Sequence, residues 1–184
     1  MTEQIWWYVA RSSGIVALAL LLAAVVIGLL MSTKLRPRMM ARPWAIAVHR
    51  FLGGLALWFT AVHLVALWLD GYISFGLADL LVPLASDYRP WAVALGIVGL
   101  YLLLAIQGTA LLIRRLPAGL WRTVHLSAFG VFWIAALHGL LAGTDAASPW
   151  FRWPLVTALA AIGALSAARV WRALGASGAP PVSY

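Results

Sequence analysis

The chain has no cysteine. That excludes disulfides, thiolate metal sites and covalent haem attachment through C-x-x-C-H. Charge is scarce as well: 10% of the 184 residues are charged, against about 25% in a soluble domain. The acids number five, Glu3, Asp70, Asp79, Asp87 and Asp145, and none falls within a long apolar run. The methionines are Met1, Met31, Met39 and Met40, all terminal or at the end of a run, so thioether ligation deep in a bilayer is also excluded. Lysine is limited to Lys34, while arginine appears twelve times, a bias that hints at a GC-rich bacterial genome.

What is abundant is apolar residues, at 64%. About 20 consecutive apolar residues span a bilayer, and five such segments occur: Ser12–Met31, Trp44–Leu69, Trp91–Ile113, Leu120–Leu141 and Pro154–Trp171. Lipid offers the backbone no hydrogen-bond partner, so each should be a helix. The expected fold is an all-α polytopic membrane bundle of five transmembrane helices. One domain is expected over residues 1–175, followed by a short flexible tail over 176–184 that contains Pro180 and Pro181. No basic segment precedes the first run, which is also too long for a signal peptide.

The net charge of +8 raises the question of nucleic acid. Its distribution answers no, because the basic residues flank the apolar runs instead of forming a face. Lys34, Arg36, Arg38, Arg42 and Arg50 follow the first run. Arg114, Arg115 and Arg122 follow the third, and Arg169 and Arg172 end the fifth. The acids all lie on the other side. By the positive-inside rule the expected orientation is N-terminus out and C-terminus in, as a multi-pass protein of the bacterial plasma membrane. The outer connection Gly71–Pro90 is long, and its GLADLLVPLA core reads either as a short interfacial helix or as a plain loop.

Against this background the four histidines stand out. HRFLGGLALWFTAVH runs from His49 to His63, and HLSAFGVFWIAALH from His125 to His138. The second and fourth spans run in the same direction, and each begins with a histidine about five residues in. At about 1.5 Å per residue, the two histidines of a helix differ in height by about 20 Å. Two helices therefore offer two imidazoles at an inner level and two at an outer level. Zinc wants three or four protein ligands at one point, and copper or non-haem iron wants a third ligand that no carboxylate supplies. Haem iron needs only two axial ligands, so two bis-histidine haems use the inventory with nothing left over. The rivals are histidines that hydrogen-bond between helices and a proton relay, which would have gaps of about 20 Å with no carboxylate to bridge them.

Azimuth is a test. At about 100° per residue, fourteen steps bring His63 within about 40° of His49, whereas thirteen leave His138 about 140° from His125. A π-bulge in the fourth span, or an offset between the two levels, would absorb the difference.

Paired H-x13-H and H-x12-H on two helices, with the basic RRLPAGLWRTVH leading into the second, resemble the ferric reductase-like transmembrane domain. That domain occurs in NADPH oxidases, iron-reducing enzymes and the haem-binding membrane subunit of bacterial methionine sulfoxide reductase systems. The resemblance covers about residues 5–172. It implies two haems of b type, with His49 paired to His125 and His63 to His138. Propionate contacts are expected from Arg11, Arg50, Arg115 and Arg122, with Arg89, Arg114 and Arg152 nearby. Gly53, Gly54 and Gly130 would let a macrocycle lie against a helix. Trp58 and Trp133, with Phe59 and Phe132, lie between the histidines in sequence and would fill the space between the levels.

The expected function is transmembrane electron transfer by a di-haem b-type cytochrome. No G-x-G-x-x-G appears, so a separate reductase or quinol is the expected donor, with an external acceptor. The alternatives are a haem-binding accessory subunit of a larger respiratory or redox complex, and a transporter or channel without haem.

Overall fold

The computed structural model describes residues 2–32 and 40–177. They form seven helices: α1 Thr2–Ser32, α2 Arg42–Leu69, α3 Leu77–Leu81, α4 Pro90–Leu111, α5 Ala118–Leu126, α6 Ala128–Ala142 and α7 Pro149–Ser177. Among the described residues there is no strand, and five spans are long and apolar enough to cross a membrane, with α5 and α6 together making the fourth. The protein is an all-α multi-pass membrane bundle.

Two helix boundaries differ from expectation. No proline or glycine precedes Gly14, so α1 continues back through Trp6, Trp7 and Tyr8. Pro149, not Pro154, occupies the first turn of α7, where a missing N–H costs nothing. Pro154 sits inside that helix. Helix α7 runs to Ser177, so the expected tail is helical over its first two residues. The rest of it, with Pro180 and Pro181, lies outside the described residues, as do Lys34, Arg36 and Arg38.

Helix α1 lies along α2, and α4 along α6, with α1 also against α6. Helix α5 rests on α4, and α7 touches α1 and α6 at the edge. No Cα of α2 comes within 8 Å of a Cα of α5 or α6. The two histidine-bearing spans are thus held apart at the backbone, each backed by another helix. The bundle core is apolar: Leu21, Val25, Ala56, Leu103 and Val131 cluster with Phe132, which is fully buried.

The fourth span breaks once. Ser127 N–H bonds to Val124 O at 3.1 Å, an i→i+3 contact, and its hydroxyl donates to the same carbonyl at 2.7 Å. Such a 3₁₀ step turns the chain by about 120° per residue instead of 100°. A tightened turn, not the expanded π-bulge weighed from the sequence, interrupts this span.

The connection between α2 and α4 does form a helix, α3, with Asp79 Oδ2 accepting from Gly76 N–H at 2.8 Å at its start. Its Leu80 is buried with Phe75, Val93 and Ile97, while Leu77 and Leu81 are exposed. The segment folds back over the N-terminal part of α4. Arg89, at φ 43° before Pro90, donates to Leu141 O at the end of α6, a carbonyl with no helical partner of its own.

Candidate functional site: two facing histidine pairs

The structure brings the four histidines together as two pairs. The ring centres of His49 and His125 are 5.8 Å apart, and those of His63 and His138 are 6.5 Å apart. Each pair reaches across the gap between α2 and the fourth span. A direct N–H···N bond would bring the centres to about 5.1 Å, taking about 2.9 Å between nitrogens and about 1.1 Å from nitrogen to ring centre on each side. One metal atom between two imidazoles, at about 2.0 Å from each nitrogen, gives about 6.2 Å. The observed spacings bracket the second value. Among the described residues no group of three His, Asp or Glu converges, so the donor set suits a metal whose remaining ligands come with it, as in haem.

The rings are oriented from behind. His49 Nδ1–H donates to Ala24 O at 2.8 Å, His63 Nδ1–H to Ala10 O at 2.7 Å and His138 Nδ1–H to Ala92 O at 2.7 Å. A carbonyl oxygen only accepts, so Nδ1 carries the proton and the neutral ring keeps its lone pair on Nε2. Carbonyl-held imidazoles of this kind are the common second layer of a metal site.

Each accepting alanine is followed four residues later by a glycine: Ala10 and Gly14, Ala24 and Gly28, Ala92 and Gly96. A Cβ added at Gly14 would lie 3.0 Å from His63 Nδ1, and one at Gly96 2.8 Å from His138 Cε1. At Gly28 it would lie 3.4 Å from His49 Cε1. The glycines let a ring press onto the helix and reach the carbonyl one turn back. Gly14 and Gly28 are separated by the same fourteen residues as His49 and His63, so antiparallel α1 serves both rings of α2. That repeat is visible in the sequence and was not among the expected features.

His125 differs. Its Nδ1 is buried without a hydrogen-bond partner. Its ring stacks on Trp121, one turn away on the same helix, at 5.1 Å between centres and 19° between planes.

A cavity of about 250 Å³ flanks the pair His63 and His138, lined also by Gly14, Gly96, Leu100 and Val131. Phe75, Leu80 and Tyr88 of the outer connection also reach it. Its walls are mostly apolar, with the two imidazoles among the few polar groups that reach it.

The supporting residues take varied places. Arg11 lines the cavity, but its Nε and Nη2 both donate to the buried carboxylate of Asp145, so its charge is already met within the protein. The sequence places these residues 134 apart, and nothing local signals that they meet. Arg50, Arg115 and Arg122 are exposed. Trp58 and Trp133 are 67% and 39% exposed and face outward, not into the space between the levels. Azimuth explains this: Trp58 lies nine residues after His49, about 180° around the helix, and Trp133 lies about 140° from His138. Phe132 takes the central place. Gly53 is filled from the other side by Gln107, whereas a Cβ at Gly54 or Gly130 would meet nothing within 4 Å.

Searches against protein-family models, curated proteins and solved structures return no match to this chain.

Proposed function

We propose that the chain is a di-haem b-type cytochrome that carries electrons across a bacterial plasma membrane, from a cytoplasmic reductase or quinol to an external acceptor. The observation that carries this reading is the pairing itself. Two sets of imidazoles face each other at a spacing suited to one metal atom, across a gap that the backbones of their own helices do not close. His49 and His125 would hold the inner haem, and His63 and His138 the outer one. When bound, each haem supplies a one-electron Fe(III)/Fe(II) couple.

The protein's own groups do the rest. Backbone carbonyls of Ala10, Ala24 and Ala92 fix three rings with Nε2 forward. Leu21, Val25, Leu103 and Phe132 form an apolar core, and an apolar medium lowers the reorganisation that accompanies charge movement. The Arg11–Asp145 pair closes the outer end as a neutral unit. The distribution of basic residues supports an N-out, C-in orientation.

The test is a reduced-minus-oxidised visible spectrum of the purified chain with haem quantification. A b-type α-band and two haems per chain are expected. His63→Ala and His49→Ala should each lose one haem. Protein that folds, yet takes up no haem when supplied with it, overturns the proposal.

A further inference from the structure

Asp70 is the C-cap residue of α2, seven residues beyond His63. Seven steps of about 100° bring it within about 20° of the direction of His63, about 10 Å further along the axis. It lines the same cavity as the His63–His138 pair. It is 4% exposed, and its Oδ1 is buried with no hydrogen-bond partner among the described residues. The helix does not account for it, because carboxylates are favoured at a helix N-terminus and not at the C-terminus. An orphaned buried oxygen costs stability, so in a native fold it calls for a role.

The charged and titratable groups around it leave it no counter-charge. Arg11 of α1 lines the cavity, but both its donors go to Asp145, in the connection from α6 to α7. His63 of α2 and His138 of α6 donate Nδ1–H to backbone carbonyls. The connection between α2 and α4 brings Tyr88 to the cavity, while Asp79 is engaged by Gly76 N–H. Asp87 and Arg89 of that connection, and Arg152 of α7, are exposed and do not line the cavity. Helix α4 contributes no charged side chain to it.

We propose that Asp70 is a proton-binding site coupled to the electron held at the His63–His138 level. Its carboxylate takes up one proton as an electron arrives there and gives it back as the electron leaves. This rests on the di-haem reading above. At about 10 Å and an effective dielectric of about 20, two unit charges shift each other's equilibria by roughly 15-fold. Linkage is reciprocal, so the proton raises the electron affinity of that level by the same factor. The proton comes from water at the end of the bundle where Thr144, which is exposed, also lines the cavity. Carboxylate and proton become carboxylic acid, and one positive charge offsets one negative charge.

The experiment is a potentiometric titration of the two-haem protein at a series of pH values. The haem missing from His63→Ala identifies the centre concerned. Its potential should fall as pH rises, by about 70 mV in all, which is the 15-fold factor at about 59 mV per tenfold for one electron. Asp70→Asn keeps the shape without the titration and should flatten that dependence. A carboxylic C=O band should also appear on reduction in the infrared difference spectrum of the unmutated protein, and isotopically labelled aspartate should shift it. A potential independent of pH, a dependence that survives in Asp70→Asn, or a band that the label does not shift overturns the inference and leaves the di-haem reading intact. Protein without haem overturns both.

Discussion

Replacing Gly96 with alanine should loosen the outer haem and leave the inner one alone. The new methyl would lie 2.8 Å from His138 Cε1 and 2.9 Å from Nδ1. Carbon atoms do not approach that closely, so the ring must retreat from α4 and the bond to Ala92 O lengthens or breaks. The lost hydrogen bond is worth about 1 kcal/mol, and forcing a methyl into a filled seat costs about 1–3 kcal/mol. Together they weaken the outer site by about 2–4 kcal/mol, roughly 30- to 800-fold in haem affinity. The molecule contains its own controls. Gly14→Ala places a methyl 3.0 Å from His63 Nδ1 and should show a smaller defect. Gly28→Ala meets His49 at an ordinary 3.4 Å and should be nearly silent. The assay is transfer of haem from the loaded protein to excess apomyoglobin, which resolves a phase for each site. Equal effects from Gly28→Ala and Gly96→Ala, or no effect from either, would refute the reasoning.

Asp145→Asn removes the partner of Arg11 while keeping its shape. Arg11 is half-buried and Asp145 buried, so a loss of about 1–3 kcal/mol is expected, seen as a lower melting temperature by circular dichroism in detergent. Phe132→Ala should cost about 3 kcal/mol by opening a cavity at the bundle centre. Trp58→Ala should cost under about 0.5 kcal/mol, because that ring faces outward. The two together test which aromatic fills the space between the levels.

The sequence carried the architecture further than the details of the site. Five apolar runs are a direct signal, since lipid leaves the backbone no choice but to satisfy itself within each helix. Both histidine pairs could be named from depth alone, as parallel helices of similar length bring equal depths together. Direction around a helix was harder to read. It is computable for α2, and applying it to Trp58 would have turned that ring outward at once. It fails for the fourth span because Ser127 tightens one turn, and a serine hydroxyl that bonds back to Val124 leaves no distinct mark in composition. The meeting of Arg11 with Asp145 depends on how α1 and α6 pack, which no local pattern encodes. The alanine and glycine seats were legible in principle. Their fourteen-residue recurrence on α1 matches that of the histidines on α2, but small residues are so common in membrane helices that the echo is easily taken for packing.

That echo makes α1 a gauge of fixed length. Both of its seats must stay in step with α2 at once. Deleting a single residue between Gly14 and Ala24 would turn one end of α1 by about 100° and shift it by about 1.5 Å relative to the other. One seat would then lose its imidazole while the other kept it. Within this stretch an apolar substitution of similar size leaves the alignment intact, whereas a change in residue number breaks it whatever residue is added or removed.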